Sequence, residues 1–421
     1  MYYSTAVYQH ESNVRSYCRD CDVVFAIGTG ATLKDINGQC YIDFVAGAGS
    51  LNYGHNNPHL KRELLRYIQQ DGVTTTLDFH SVAKSRFIER FERLILKPRG
   101  MIYKLQFTGP TGTNAVEAAL KLARKRTART TVAAFSNAYH GVTLGALAAT
   151  ANIDKRRVAG VELSNVVRLP YDGFFGPSID TADIISTLYL TNGSGYEPPA
   201  AIILETVQGE GGLNCAQPQW LRKIERLCQD LGALLIVDDI QAGCGRTGTF
   251  FSFELSGISP DIICLSKSIS GYGLPMSVVL IKPEHDCWEP GQHNGTFRGN
   301  NQAFITANSA LDFWKDRRLE TKINENSVTI RNSLEELLAL ASFETAHVVG
   351  KGMLMGLKFN DPQNASRLSR ACLEQKLLVE TCGPSGEVLK LMPPLTIDSK
   401  TLAKGLEKLQ QAYFNIMAVN S

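Results

Sequence analysis

The chain has no apolar stretch of about 18 residues, the length a helix needs to span a bilayer. Its N-terminus, "MYYSTAVYQHESNVR", shows no basic segment followed by an apolar core, so no secretory leader is expected and the cytoplasm is the expected compartment. Net charge is only +2 over 421 residues, which argues neither for nor against nucleic acid. The basic clusters are short, and Lys121, Arg124, Lys125, Arg126 and Arg129 read as one solvated helix face. No nucleic-acid or membrane partner is expected. The ten cysteines are scattered, and the single CxxC, Cys18 with Cys21, has no second pair to complete a four-ligand site. Reduced thiols and no metal are the expectation. Repeats and low-complexity segments are lacking, and the glycine-bearing turn "GPTGTNAVE" has neither the Gly-Lys-Ser/Thr ending of a P-loop nor GxGxxG spacing, so it is not a nucleotide loop of the two familiar kinds.

What is present is a soluble globular composition, 44% hydrophobic and 20% charged, in a chain too long for one ordinary core. The middle alternates strands and helices. "TVAAF" (131–135), "NVVRLP" (165–170), "AAIILE" (200–205), "ALLIVDDI" (233–240), "DIICLS" (261–266) and "MSVVLI" (276–281) are apolar almost throughout, as strands covered on both faces are. Helical patterns at 113–126 and 218–231 lie between some of them, which implies a mostly parallel sheet. The ends differ. Residues 23–45 read as a hairpin turning at Ile36-Asn37-Gly38. Residues 302–340 are long helical patterns, and 341–421 mix short strands with a closing helix at 400–417. The expectation is a large α/β domain over 59–305, with a small α+β domain built from 1–58 and 306–421.

In open α/β sheets, ligands bind beyond the carboxyl ends of the strands. Lys267 follows one such end, Asp238 and Asp239 follow another, and Glu205 follows a third. The turn "FTGPTGTNAVEAALK" adds a fourth group. Gly112 allows close backbone approach, and Thr113 places a hydroxyl at a helix start, where unpaired N–H groups favour an anion. Taken singly, each feature is ordinary: a solvated lysine, a surface acid, a turn. Together, a phosphate cup, an amine able to condense with an aldehyde and a buried carboxylate suggest pyridoxal 5′-phosphate.

At that point the sequence resembles a known family, the class III aminotransferases of the fold-type I pyridoxal-phosphate enzymes. Motifs in family order are "YIDFVAGAGSLNYGHNNP", "TGTNAVEAALKLAR", "AYHGVTLGALAAT", "LETVQGEGG", "VDDIQAGCGRTG", "CLSKSISGYGLP", "NGTFRGNN" and "KLMPPLTI", spread over residues 20 to 415. The resemblance implies a seven-stranded large-domain sheet. It also implies a ping-pong Schiff-base transfer of an amino group between an amino acid and a 2-oxo acid, in a homodimer or dimer of dimers with shared sites. The wording of several motifs is most similar to the branch that acts on diaminobutyrate and 2-oxoglutarate in ectoine biosynthesis.

The resemblance also implies residue roles. Lys267 matches the lysine that holds the cofactor aldehyde and later moves protons. Asp238 matches the acid facing the pyridine nitrogen, and Gln241 the side chain at the ring's 3-oxygen. Tyr139 matches the aromatic stacked on the ring, beside His140, and Glu205 lines the same cofactor site. Gly112 and Thr113 match the phosphate cup, assisted by Thr111, while Asn114 stands where relatives often have glutamate. Thr296 matches a threonine reaching the phosphate of the neighbouring subunit. Asp239 is expected to make a structural hydrogen bond.

Substrate contacts are where the match thins. Glu210 matches the glutamate of a glutamate–arginine gate, but Lys390 stands where the arginine is expected, and a lysine cannot grip a carboxylate in two-pronged fashion. A second arginine of ornithine-type relatives is Val142 here. Arg298 is therefore the candidate cation for 2-oxoglutarate, and Asp78 the candidate partner for a substrate ammonium. Ornithine, 4-aminobutyrate or taurine stay open as donors. So do a pyridoxal-phosphate mutase or racemase, which would need no added keto acid, and a non-catalytic binding module, which would need none of Lys267, Asp238 and Gln241.

Overall fold

The computed structural model describes residues 2–340 and 346–420. Its centre is a seven-stranded sheet in the order Lys104–Phe107, Val278–Ile281, Ile262–Leu265, Leu234–Asp238, Ala201–Leu204, Val132–Phe135, Val166–Leu169. All six expected strands are present. All five inner strands are buried at every residue, which is why they read as unbroken apolar runs rather than alternating ones.

The sheet is mostly parallel, with one reversal. Val278–Ile281 runs antiparallel to both neighbours. The connection before it holds only a short helical turn, Lys267–Ser270, and a parallel return would need a full crossover. Lys104–Phe107, an edge strand absent from the sequence expectation, closes that side with one fully buried residue, Phe107.

The expected helices form at Gly112–Thr127 and Pro218–Leu231. The basic cluster is not one solvated face, however. Arg129 lies past the first helix's end, and its guanidinium donates to the carbonyls of Pro199, Leu231 and Gly232, at 2.9, 3.0 and 3.3 Å. It thereby caps the C-terminus of the second helix.

The expected single hairpin at 23–45 is instead a three-stranded meander, Phe25–Thr29, Thr32–Asp35 and Cys40–Asp43. Gly30, at φ +56°, makes the first turn. At the second, the Asp35 carboxylate accepts the N–H groups of Asn37 and Gln39, both at 2.8 Å. Leu377–Leu378 joins this sheet parallel to Cys40–Asp43, so the two ends of the chain are woven into one sheet. A separate antiparallel sheet holds Ala346–Lys351, Leu354–Phe359, Val388–Leu391 and Glu380–Cys382. In it Glu380 stands directly opposite Lys390. The fully buried Arg246 donates to the carbonyls of Met353 and Pro393, at 3.1 and 2.6 Å, and to the Asn52 side chain, tying early and late segments to the sheet's rim. Among the described residues, no helix is long and apolar enough to cross a membrane.

Candidate active site

Five parallel strands end on the same rim, and each delivers a group there. Leu234–Asp238 ends on Asp238, with Gln241 three residues on. Ile262–Leu265 is followed by Lys267, Ala201–Leu204 by Glu205, Val132–Phe135 by Tyr139 and His140, and Lys104–Phe107 by the Thr111–Thr113 turn. This convergence follows from the parallel topology, since parallel strands share one carboxyl-end rim.

Lys267 has φ +49°, a left-handed conformation that a lysine rarely adopts and that costs about 1 kcal/mol or more. Burial lowers its pKa below the ordinary lysine range, although the carboxylates of Glu210, Glu380 and Asp238 oppose the shift. Gly49 faces it: a Cβ there would lie 3.9 Å from Lys267 Cδ and 3.7 Å from Gln241 Cγ.

Asp238 is buried and accepts from the ring of His140, Nδ1 to Oδ2 at 2.7 Å, and from the Ile240 N–H at 3.2 Å. An ionised carboxylate only accepts, so His140 carries its proton on Nδ1. Among the described residues, His140 Nε2 is buried without a partner, and so is Gln241 Oε1. Glu205 accepts the Tyr139 N–H at 3.0 Å and the Gly209 N–H at 3.3 Å, and burial followed by the Asp238 charge pushes its pKa well up. Asp239 is bonded to the hydroxyl and N–H of Ser252, the structural role expected of it. Burial raises its pKa to about 7.

The turn at 111–114 is tightly set. Asn114 Oδ1 accepts from the Thr111 N–H and hydroxyl, at 3.2 and 2.9 Å, doing the work a glutamate would do at the third helical position. A Cβ on Gly112 would meet Ile240 Cδ1 at 2.9 Å. The Thr113 hydroxyl lies 2.7 Å from that of Thr143, which donates to Glu117 at 2.6 Å. Gly141 packs on Thr113 at φ +121°, and a Cβ there would sit 2.3 Å from Thr113 Oγ1. Gly141→Ala should therefore cost roughly 3 kcal/mol of stability, from backbone strain plus overlap. A thermal melt with and without added cofactor checks this.

The candidate substrate residues fall into two groups. Glu210 Oε1 accepts from Lys390 Nζ at 2.9 Å and from Gln241 Nε2 at 3.1 Å, which joins it to the Asp238 wall. Burial alone would raise the Glu210 carboxyl. The ammoniums of Lys390 and Lys267 outweigh that and hold it at about 2. Asp78 and Arg298 are brought together as an ion pair at 2.8 Å, with the Asn294 amide on the other carboxylate oxygen at 2.5 Å. Thr296 is exposed on the same loop and has no side-chain hydrogen bond among the described residues. Tyr139 is half-buried, with Lys155 Nζ 5.7 Å from its ring centre.

Two groups escaped the sequence reading. Glu380 sits 2.9 Å from Lys390 Nζ. Its signal was an acid inside the apolar run "LLVET". Tyr17, on the short helix Tyr17–Asp20, is exposed, but its phenol lies close enough to Glu380, Glu210 and Tyr139 for them to act on it. No pattern in the sequence marked it.

The arrangement fits pyridoxal phosphate. Buried Gln241 and His140 each keep one unpaired atom, a carboxylate and a deprotonation-prone lysine face each other's surroundings, and a glycine-bearing helix start stands beside them. Residues 17–413 match the family described as aminotransferase class-III, and the chain belongs to that family, whose members depend on pyridoxal 5′-phosphate. A diaminobutyrate–2-oxoglutarate transaminase of Halalkalibacterium halodurans is 51% identical over 404 residues, 96% of this chain and 95% of that protein. Another of that name, from Vibrio parahaemolyticus, is 51% identical over 97% of both. The ornithine aminotransferase of Toxoplasma gondii superposes with a TM-score of 0.86 at 26% identity, covering 99% of this chain and 95% of that one.

Proposed function

We propose that this chain interconverts L-2,4-diaminobutyrate plus 2-oxoglutarate with L-aspartate 4-semialdehyde plus L-glutamate, in the cell making diaminobutyrate for ectoine-type synthesis. The observation that carries the reading is half-identity, over nearly the whole length, to relatives named for that reaction. The reading includes a cytoplasmic location, a large domain at 59–305 flanked by 1–58 and 306–421, and a homodimer or dimer of dimers in which Thr296 serves the neighbouring site.

Pyridoxal phosphate, when bound, supplies an aldehyde for the amino group and a cationic ring that draws electrons from the adjacent carbon. Everything else falls to the protein. Thr111, Gly112 and Thr113 hold the phosphate at a helix start. Tyr139 would cover one ring face and Gln241 would hold the ring's oxygen, while Glu205 fixes the Tyr139 backbone. Asp238, steadied by His140, would keep a proton on the ring nitrogen. Lys267 Nζ, biased by burial toward its unprotonated form, would take a proton from the substrate carbon and return it to the carbon on the far side of the transferred nitrogen. Glu210 and Lys390 line the substrate side. Asp78 and Arg298 form an entrance pair in which either charge reaches a substrate by releasing the other.

A donor screen tests this reading. With 2-oxoglutarate as acceptor, kcat/KM for diaminobutyrate should exceed those for ornithine, 4-aminobutyrate and taurine by at least about tenfold. Double-reciprocal plots should be parallel, as for a ping-pong enzyme. A higher kcat/KM on one of the other donors would reassign the substrate.

A further inference from the structure

The Glu210–Lys390 pair is not a pair. Lys390 Nζ lies 2.9 Å from Glu210 and 2.9 Å from Glu380. Two carboxylates against one ammonium leave one negative charge unbalanced. The three are not equivalent. The Lys390 side chain is wholly buried and that of Glu380 9% exposed, while that of Glu210 is 31% exposed and faces the cleft. Glu380 is fixed by the sheet, directly across from Lys390 on the neighbouring strand. Lys390 Nζ also donates to the Gly209 carbonyl at 3.3 Å, so its remaining reach is used within the wall. Lys390 is thus held inside the wall by the Glu210 carboxylate and the Gly209 carbonyl, with Glu380 Oε1 beside it as a close charge contact rather than a formed hydrogen bond. The cluster instead presents its surplus charge through its one solvent-reaching member, Glu210.

A simple glutamate–cation gate would be neutral. The Lys390 cluster by itself holds one more carboxylate than ammonium, and the difference is Glu380. We propose that Glu380 is a specificity-determining positioning residue: by over-balancing Lys390 it keeps the substrate side of the cleft negative, and that charge reads the second ammonium of a diamino acid donor. The inference rests on the diaminobutyrate reading above, because diaminobutyrate carries an ammonium at its far end while the other nitrogen reacts. It also accounts for the lysine at 390. A compact ammonium fits between two carboxylates from different strands, where a planar guanidinium would favour gripping one of them.

In the acceptor half-reaction the same arrangement works in reverse. There the surplus negative charge of the cluster repels the dicarboxylate 2-oxoglutarate instead of attracting it. Removing the Glu380 charge should therefore move the two substrates in opposite directions, disfavouring the donor with its second ammonium and favouring the dicarboxylate.

The experiment uses the holoenzyme. Wild type, Glu380→Gln and Glu380→Asp are compared by initial rates with diaminobutyrate and 2-oxoglutarate varied in turn. Glu380→Gln should raise KM for diaminobutyrate about tenfold and lower KM for 2-oxoglutarate, as the loss of one charge at short range in a partly desolvated cleft requires. Glu380→Asp, which keeps the charge, should restore both. If Glu380→Gln does not fold, Glu210→Gln removes the same unit of charge and should raise the donor KM likewise. An unchanged donor KM, or both constants rising by one common factor, overturns the proposal. Wild-type protein with no turnover on a diamino acid would instead sink the functional reading on which the proposal stands, so the two failures are told apart.

Discussion

Lys267→Met will abolish transamination, lowering kcat by roughly four orders of magnitude or more, while the protein folds and melts at a temperature no lower than cofactor-free wild type. The first half follows from proton transfer. An amine at this position is worth at least about 10²–10⁴-fold as acid and base, and its covalent hold on the cofactor is lost as well. The variant should purify without the visible absorption band of the wild-type holoenzyme, and single-turnover mixing with an amino donor should give no spectral change.

The second half follows from linkage. Burial lowers the Lys267 pKa in the folded state. A lysine whose folded pKa is depressed binds fewer protons folded than unfolded. It therefore costs stability at all pH values below the ordinary lysine range, and the cost fades as pH rises through that range. Methionine keeps the stem and removes the cost. The gain in melting temperature for cofactor-free protein should accordingly be largest near neutral pH and shrink in alkali. A variant that melts well below wild type would mean that the ammonium is a structural group rather than a strained catalytic one. A variant that still transaminates would remove Lys267 from the mechanism altogether.

Much of the rim was readable beforehand, for a physical reason. Strands buried on both faces must be apolar throughout, so their ends are sharp, and a lysine or aspartate just past such an end stands out. Lys267, Asp238 and Glu205 were visible in this way. Other features had no local signature. Lys104–Phe107 is a partly exposed edge with a single buried residue, so it carries no apolar run. The reversal of Val278–Ile281 is written in the short link before it rather than in the strand. The run 23–45 hid a turn because Gly30-Ala31 reverses the chain in two residues. Glu380 and Glu210 converge on Lys390 only because one strand pairing and one rim loop meet there, and sequence order shows neither. The sequence offers Asp78 for a substrate ammonium and Arg298 for 2-oxoglutarate as separate contacts, and only the fold shows that their two loops meet with the charges 2.8 Å apart.

Asp238→Asn tests the other pole of the site, and kcat should fall roughly 10³-fold, the scale of losing one preorganised electrostatic contact where charge develops. The side chain is nearly isosteric, so shape is not at issue. What changes is sign. In wild type the carboxylate accepts from His140 Nδ1 at 2.7 Å and from the Ile240 N–H at 3.2 Å, leaving a negative charge on the rim with two donors holding it in place. An asparagine can keep one of those bonds with its oxygen, but its amide nitrogen then faces either the His140 N–H or the cofactor's ring nitrogen. If it faces the histidine, the imidazole must move its proton to Nε2, an atom that is buried with no acceptor among the described residues. If it faces the ring, the ring nitrogen cannot stay protonated and the electron sink weakens. Either way kcat should drop far more than KM rises, because the loss is felt as charge builds on the substrate carbon and not when the substrate binds. Adding His140→Asn should bring little further loss, since with the carboxylate gone the histidine no longer has a charge to hold in place. Additive losses in the double variant would show instead that His140 touches the cofactor independently, and a near-wild-type kcat for Asp238→Asn would show that this acid does not face the ring.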